Sequence, residues 1–309
     1  MIRIFEAFSG YGSQSLALEN IGVPHEVVAI SEIDKYAIAA YKALHGEVLN
    51  LGDISKINAD DVPEHDLLTY SFPCQDLSIA GEQKGLGATR SGLLYECKKV
   101  IERCKPKYLL LENVKNLVGK KFKPSFEEWL KYLSKLGYTN YWRVLNAKNY
   151  GVPQNRERVF VVSILGDDKG FTFAEGDGTS SCIADILEGA VNDKYYIDKP
   201  FKLVSKGHQA ELDIKGLECI KRVYGVDKIA PTLTTMQGGN RQPKILDGNR
   251  VRKLTPRECF RLMGLKDADI DKIQATGLSD SQQYKLAGNS IVIPVLECIF
   301  KELFKEELA

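Results

Sequence analysis

The sequence predicts an α/β protein in which a doubly wound sheet is joined to a second, smaller irregular domain. From residue 1 to about 165, short apolar runs alternate with amphipathic stretches, as in the βαβ units of a largely parallel sheet. After Gly166 a run rich in Gly, Asp, Ser and Thr begins, and the chain then loses any sustained hydrophobic period. We expect one domain over 1–171 and 278–309, with 172–277 as the smaller domain.

The elements of the first half follow from apolar periodicity. The expected strands are Arg3–Ala7, Glu26–Ile30, Asp66–Tyr70, Tyr108–Leu111, Trp142–Leu145 and Val159–Ile164. The expected helices are Ser13–Ile21, Lys35–Leu44, Leu93–Cys104 and Ser125–Leu136, with Asp34 placed as the N-cap of the second. A helix near the C-terminus carries its apolar residues on one face, and Pro294 falls early enough to be tolerated in its first turn.

The composition is that of an ordinary globular protein. Of 309 residues, 44% are hydrophobic and 27% charged, and the formal net charge is +1. The seven cysteines include no CxxC pair, which disfavours a disulfide framework and a structural zinc site. The first residues lack the apolar run of a signal peptide, and no run reaches the ~20 apolar residues of a membrane span. We therefore expect a cytoplasmic protein with no metal and no membrane contact.

Positive charge is concentrated between Asn240 and Arg261, where the sequence has seven basic residues and only two acidic ones. Such a run usually indicates a solvent-exposed surface, and the alternative is a surface that contacts nucleic acid. The basic residues are Arg241, Lys244, Arg250, Arg252, Lys253, Arg257 and Arg261.

Candidate ligand-binding residues follow the expected strands, because open α/β sheets bind ligands at the carboxyl ends of their strands. The run Phe8–Gly12 is a glycine turn before a helix, but Ser15 stands where a dinucleotide fingerprint has its third glycine, which disfavours a nicotinamide enzyme. Glu32 follows the second strand and could hold ribose hydroxyls. Gly52–Ile54, expected to follow a third strand, offers a carboxylate and an apolar side chain.

The most informative strand end is Ser71-Phe72-Pro73-Cys74-Gln75. A lone cysteine is more often an inert buried residue, but one that follows a proline at such a strand end is placed to meet a ligand. A second expected strand ends in Glu112-Asn113-Val114, and a further loop carries Gln154-Asn155-Arg156-Glu157-Arg158.

Seven motifs occur in the order and approximate spacing of the cytosine-5 DNA methyltransferases, which this chain resembles from residue 2 to about 304, apart from 172–228. They are FSGYG (8–12), GDI (52–54), FPCQ (72–75), ENV (112–114), QNRER (154–158), RKLTPRE (252–258) and GNS (288–290).

The resemblance implies methyl transfer from S-adenosylmethionine to carbon 5 of a flipped-out cytosine in a short duplex DNA site. Cys74 would attack carbon 6, because carbon 5 is too poor a nucleophile without that addition. Glu112 would donate a proton at N3 from a desolvated site that keeps its carboxyl protonated. Arg158 would grip the cytosine O2, with Arg156 and Gln154 supporting that pocket.

The remaining roles are also implied by the resemblance. The cofactor is expected at Phe8, Gly10, Gly12, Glu32, Ile33, Asp53, Ile54, Pro73, Asn289 and Ser290. DNA contacts are expected from Gln75, Ser78, Asn113, Val114, Gln154, Thr232, Thr234, Arg241 and Arg257. The glycine-rich segment from Gly81 to Gly92 would close on the DNA, and the region 172–277 would read its bases. The basic run then indicates phosphate contacts, with structural residues among them.

Three alternatives stay open. A tRNA cytosine-5 methyltransferase would share the catalytic plan, although the Cys-Phe-Thr run typical of that branch is absent. A catalytically silent DNA-binding module would keep the fold, and a nicotinamide dehydrogenase is the third possibility. For the leading hypothesis we expect a monomer that acts on double-stranded DNA, with a cognate restriction endonuclease as a candidate partner in the cell.

Overall fold

The computed structural model describes residues 1–72, 92–166, 169–176, 178, 180–204, 207–238 and 240–308. The chain forms two compact units, of which unit 1 comprises 1–145, 157–174 and 296–309. Unit 2 comprises 146–156 and 175–295.

The elements are numbered in chain order. The strands are β1 (Ile2–Ala7), β2 (His25–Ser31), β3 (Leu67–Tyr70), β4 (Tyr108–Val114), β5 (Tyr138–Asn146), β6 (Gln154–Asn155), β7 (Glu157–Leu165), β8 (Tyr196–Ile197), β9 (Phe201–Leu203), β10 (Ala210–Leu212), β11 (Arg222–Tyr224), β12 (Ala230–Pro231), β13 (Lys244–Asp247) and β14 (Arg250–Lys253). The helices are α1 (Ser13–Ile21), α2 (Lys35–His45), α3 (Gly92–Cys104), α4 (Lys123–Lys135), α5 (Glu218–Lys221), α6 (Pro256–Arg261), α7 (Asp267–Ala275), α8 (Asp280–Asn289) and α9 (Ile293–Leu303).

Unit 1 is built on a sheet whose described strands run in the order β2-β1-β3-β4-β7-β5. Strands β2, β1, β3 and β4 are parallel to one another, whereas β7 is antiparallel to β4. Parallel strands covered on both faces are apolar along their whole length, and β3 and most of β4 are buried. The expected N-cap of α2 is confirmed, since the Asp34 carboxylate accepts a hydrogen bond from the backbone N–H of Tyr36.

Unit 2 contains a sheet of short strands in the order β8-β14-β13-β11-β10-β9 among the described residues. Each strand has two to four residues, too few to produce a visible alternation in the sequence. The region therefore looks irregular in sequence although it is hydrogen-bonded. Helix α6 begins with a capping box, in which Thr255 and Glu258 each bond the backbone N–H of the other.

The expectation of a strand before Gly52 is wrong, because only an isolated parallel bridge joins Ile30 to Asn50 there. The Asn50 side chain replaces a ladder: its amide donates to the carbonyl of Glu32, and its carbonyl oxygen accepts from the backbone of Glu32 and Gly52. Among the described residues, no helix is long and apolar enough to cross a membrane.

Candidate active site

Two of the expected catalytic side chains meet at the end of β4. Strands β4 and β7 pair so that Val114 lies opposite Arg158 and Glu112 lies opposite Phe160, which puts Glu112 and Arg158 on one face as diagonal neighbours. The Arg158 Nε atom lies 3.2 Å from Glu112 Oε1, and the two side chains are 17% and 10% exposed. Arg158 also donates to the carbonyl of Glu157 at 2.8 Å. The result is a largely buried ion pair whose orientation is fixed by the sheet.

Asn113 connects this pair to the end of β3. Its amide donates to the carbonyl of Phe72 at 2.9 Å, and its own side-chain oxygen accepts from the backbone N–H of Val114. Both Phe72 and Asn113 are buried. The bond therefore holds the main chain two residues before Cys74. Pro73, Cys74, Gln75, Ser78 and the expected closing segment up to Ser91 lie outside the described residues, and Gly92 is the first residue of α3.

The turn between β1 and α1 has a backbone that strongly favours glycine. Phe8, Gly10 and Gly12 all have φ between 58° and 81°, which is the left-handed region. A Cβ on Gly12 would lie 2.4 Å from His45 Nε2 and 2.7 Å from a Tyr41 ring carbon, so no side chain fits there. A Cβ on Gly10 would meet no heavy atom of the described residues within 4 Å. Within the described part of the chain, Gly10 therefore faces open space in which a ligand could approach the backbone.

Glu32 closes one side of this turn. Its Oε2 accepts from the backbone N–H of Gly10 at 2.9 Å, and its Oε1 accepts from Ile33 and Asp34 at 2.8 Å each. A carboxylate has about four lone-pair sites, so at least one remains for a ligand hydroxyl. The adjacent Ile33 is 71% exposed, which is unusual for an isoleucine and leaves an apolar surface for a flat ring.

The GDI motif supplies a second carboxylate. Both the hydroxyl and the backbone N–H of Ser55 donate to Asp53 Oδ1, and these bonds hold the pKa of Asp53 below its usual value. Ile54 is only 3% exposed and packs in the core, so it offers far less surface to a ligand than Ile33 does.

These residues fit a nucleoside-type ligand. Ser9, within the turn, has a buried hydroxyl without a hydrogen-bond partner among the described residues, and such groups in native proteins are usually satisfied by a ligand or water. The open side of Gly10, the spare oxygen capacity of Glu32 and the exposed Ile33 supply the polar and apolar contacts that a ribose and a purine need.

The same turn is anchored from below by Glu6 of β1. Its Oε1 accepts from the hydroxyl and the backbone N–H of Ser15, in the first turn of α1, and its Oε2 accepts from the Tyr41 hydroxyl of α2. Gly12, the N-cap of α1, provides no side-chain cap, so Glu6 satisfies one of the free N–H groups of that helix. Glu6 is fully buried, and this burial raises its pKa to about 7.

In unit 2, Arg156 ties two segments together. Its guanidinium donates to the carbonyls of Leu233, Gly288 and Ser290 at 3.0, 3.2 and 2.8 Å. Arg156 is 3% exposed, so these bonds are formed away from water. Within unit 2, Arg156 thus positions the main chain at Leu233 and on both sides of Asn289.

Gln154 reinforces this arrangement from the same short strand. Its side chain donates to the carbonyl of Leu262 at 2.7 Å and accepts from the backbone N–H of Leu233 at 3.0 Å. Gln154 is fully buried. Parallel pairing of β6 with β12 adds a backbone connection between the same two segments.

The GNS motif packs directly on Thr232-Leu233-Thr234, the Thr-Leu-Thr segment. A Cβ on Gly288 would lie 1.9 Å from the carbonyl oxygen of Thr234, so this contact demands glycine. Thr232 donates to the carbonyl of Asn155, and the Ser290 hydroxyl donates to the carbonyl of Ala287. Asn289 is exposed. The two hydroxyls are thus committed to local structure.

A model of the family described as C-5 cytosine-specific DNA methylase matches residues 2–305. The chain belongs to this family. Its relatives include the type II methyltransferase M2.ScrFI of Lactococcus lactis subsp. cremoris, 40% identical over 99% of this chain and 100% of the relative. The orphan methyltransferase M.SPBetaI of Bacillus phage SPbeta is 32% identical, with 98% and 97% covered. The expected enzyme class, a DNA cytosine-5 methyltransferase, is thereby confirmed.

Solved structures confirm the expected fold class, a Rossmann-like methyltransferase fold. The chain is similar to the Dnmt2 methyltransferase of S. pombe, with a TM-score of 0.80, 22% identity and 99% of each chain covered. It is also similar to the Entamoeba histolytica methyltransferase EhMeth, with a TM-score of 0.78, 20% identity and coverage of 99% and 98%. At these identities the likeness shows the fold alone.

The basic run of this methyltransferase divides into paired and unpaired residues. Arg252 is buried and bonded to Asp247 and Glu258, and Arg257 and Arg261 lie in networks of carboxylates that include Asp267. Arg250 pairs with the carboxylate of Asp193. Lys244 is buried, and neither it nor Arg241 nor Lys253 forms an ion pair within the described part of the chain. Most of the arginines thus stabilise the unit, and a phosphate contact by Arg257 would have to compete with its carboxylates.

Sequence reasoning missed the network of Glu6, Ser15 and Tyr41 in this methyltransferase. The available clue was Ser15 itself, which replaces the third glycine of the dinucleotide fingerprint. Its hydroxyl bonds the buried Glu6 carboxylate, a role that a glycine cannot fill. The departure from the fingerprint therefore has a structural cause.

Proposed function

We propose that the enzyme transfers a methyl group from S-adenosylmethionine to carbon 5 of a flipped-out cytosine in a short duplex DNA site, through a covalent bond between Cys74 and carbon 6. The observation that supports it most is the pair of Glu112 and Arg158, because a buried acid beside a fixed guanidinium suits recognition of both N3 and O2 of one pyrimidine. Asn113 holds the chain that leads to Cys74.

In this proposal the thiolate of Cys74 adds to carbon 6 and makes carbon 5 nucleophilic. Negative charge then develops on the ring, and it is stabilised by a hydrogen bond from Arg158 to O2 and by a proton from Glu112 to N3. Because the contact with Arg158 favours the ionised carboxylate, Glu112 must take up this proton as the cytosine enters the site. After methylation, a water removes the proton from carbon 5, the bond between Cys74 and carbon 6 breaks, and the N3 proton returns to Glu112, which restores the aromatic ring, the thiolate and the acid.

When bound, S-adenosylmethionine supplies the methyl group. Glu32 would hold the ribose hydroxyls, Ile33 would cover one face of the adenine and Asp53 would accept from its amino group. The open backbone at Gly10 and the free hydroxyl of Ser9 support binding of the remainder at the turn. Fluorescence titration with this compound and with a nicotinamide dinucleotide separates the proposal from the dehydrogenase alternative.

We assign base recognition to the region 172–277, with Thr232, Thr234 and Arg241 as its DNA contacts. Because the Thr232 hydroxyl already donates to the carbonyl of Asn155, it would serve DNA only as an acceptor. Arg241 is exposed and lacks an ion pair among the residues that the structure describes, which supports a phosphate contact. We further propose a monomer, and a cognate restriction endonuclease as a cellular partner. Bisulfite sequencing of DNA from cells that express the enzyme identifies the methylated site.

The test of the chemistry uses duplexes that contain 5-fluorocytosine. Fluorine at carbon 5 cannot leave as a proton, so elimination is blocked and the covalent complex accumulates. We expect a complex stable to denaturing electrophoresis that disappears in Cys74→Ser but persists in Cys219→Ser, since Cys219 is an exposed cysteine of unit 2. Absence of any complex would favour the catalytically silent DNA-binding module.

The substrate class needs a separate assay. Incubation with labelled cofactor and either duplex DNA or tRNA should label only the DNA. Label on tRNA alone contradicts the proposal and favours the tRNA methyltransferase.

A further inference from the structure

Three lysines surround one cavity in unit 2. The cavity has a volume of about 210 Å³, and it is lined by Lys199, Lys244 and Lys253, by Tyr196 and Asn240, and by three aliphatic side chains. At about 30 Å³ per water molecule, it has room for an anion with some of its hydration water. No carboxylate is among its lining residues in the described part of the chain.

Two of the lysines lie directly opposite each other on neighbouring strands. Strands β13 and β14 are antiparallel, and Lys244 is the direct partner of Lys253. Like charges placed directly opposite each other destabilise a sheet. In the next pair of the same two strands, Arg252 lies opposite Ile245, and its charge is neutralised by Asp247 and Glu258. The fold therefore supplies counter-charges for its structural arginine but none, among the described residues, for the lysine pair.

Lys244 is also buried, with 2% of its surface exposed. Its ammonium donates to the carbonyls of Asn240 and Gln242, which leaves the third of its three donors free of any partner among the described residues. Desolvation, and then the charge of Lys253, lower the pKa of Lys244 to about 8, so it is still mostly charged at neutral pH. A buried cation without a counter-charge is costly, and an anion in the cavity would offset this cost.

We propose that this cavity binds a phosphate-type oxyanion, supplied either by free phosphate or by a backbone phosphodiester of bound DNA. Lysine binds phosphate as a point charge with rotatable donors, which suits an anion approached from several sides. The Tyr196 hydroxyl already donates to Asp247. Tyr196 therefore only bounds the cavity, and the lysines supply the positive charge. The DNA source rests on the proposed function, whereas the free-anion source does not.

The first test measures thermal unfolding in potassium phosphate against potassium chloride of equal ionic strength. Phosphate should raise Tm more in the wild type and in Lys272→Gln than in Lys253→Gln and Lys244→Met. Lys272 is an exposed lysine of α7 paired with Asp269, so this control loses the same charge outside the cavity. Any general salting effect of phosphate is common to all four proteins and cancels.

The second test measures the affinity for duplex DNA at several salt concentrations. If a backbone phosphate fills the cavity, Lys253→Gln should reduce the slope of log K against log salt by about 0.9, and Lys272→Gln should not. A changed slope without a phosphate effect identifies DNA as the ligand, and a phosphate effect without a changed slope identifies the free anion. If neither differs between the Lys253 and Lys272 variants, the proposal is overturned. If neither the wild type nor the variants bind DNA, the proposed function fails, and the phosphate test alone decides whether the cavity binds an anion.

Discussion

Arg158 Nε lies 3.2 Å from Glu112 Oε1 on one face of the unit 1 sheet, with both side chains largely buried. The sheet register fixes this contact, because Arg158 is the cross-strand partner of Val114, two residues after Glu112. A carboxylate and a guanidinium held in this way have lost most of their rotational freedom before substrate arrives. Such preorganisation makes hydrogen bonds effective in a transition state.

Glu112→Gln should therefore slow methyl transfer strongly. The amide keeps the size and much of the hydrogen bonding of the acid but cannot give up a proton, and loss of a general acid costs about 10²–10⁴-fold in rate. Single-turnover methylation of duplex DNA at saturating cofactor measures the effect. Glu157→Gln is the control, since it alters an exposed ion pair between the first residue of β7 and Lys115, which follows β4. A comparable loss in both variants would contradict the role of Glu112.

Arg156→Met should destabilise unit 2. The substitution leaves the three buried carbonyls of Leu233, Gly288 and Ser290 without their donor, and each unsatisfied group costs about 1–3 kcal/mol. We expect the free energy of unfolding in urea to fall by about 3 kcal/mol or more. Arg222→Met removes an exposed ion pair with Glu218 and an interaction with Tyr224, and should cost about 1 kcal/mol. Equal losses would show that Arg156 is not a positioning residue.

Gly288→Ala tests the contact between the GNS motif and the Thr-Leu-Thr segment. The new methyl would lie 1.9 Å from the Thr234 carbonyl oxygen, and backbone cannot give way as a flexible side chain can. Overpacking of this kind costs about 1–3 kcal/mol, and it should also weaken DNA binding if Thr234 contacts DNA. Gly189→Ala is the matched control, because its Cβ would meet no described heavy atom within 4 Å. Calorimetry and a DNA-binding titration compare the two, and identical behaviour would refute the contact.

Local patterns in the sequence predicted the sheet of unit 1 well. Long apolar strands and an N-cap such as Asp34 depend on neighbours in the chain, and they appear as expected. The features that the sequence did not predict depend on residues far apart in the chain. Asn50 bonds Glu32 where a strand was expected, and Gln154 is buried against Leu262, which lies 108 residues away. Charge was the least predictable property, because the sequence does not reveal that Arg252 meets two carboxylates in the fold.

Glu6 should make the stability of the enzyme depend on pH. Burial raises its pKa from the usual 4.5 to about 7, so between these values the folded state binds more protons than the unfolded state. The contribution of Glu6 is therefore fully present below pH 4.5 and is lost as pH rises through 7, by up to about 3 kcal/mol.

Glu6→Gln cannot titrate, so urea unfolding from pH 5 to pH 8 should show the wild type losing stability relative to the variant. Glu26→Gln, at an exposed position of β2, should show no such trend. A wild-type-minus-Glu6→Gln difference that stays flat over this range would rule out a titrating Glu6, and with it a proton held beneath the turn that supports Gly10 and Gly12.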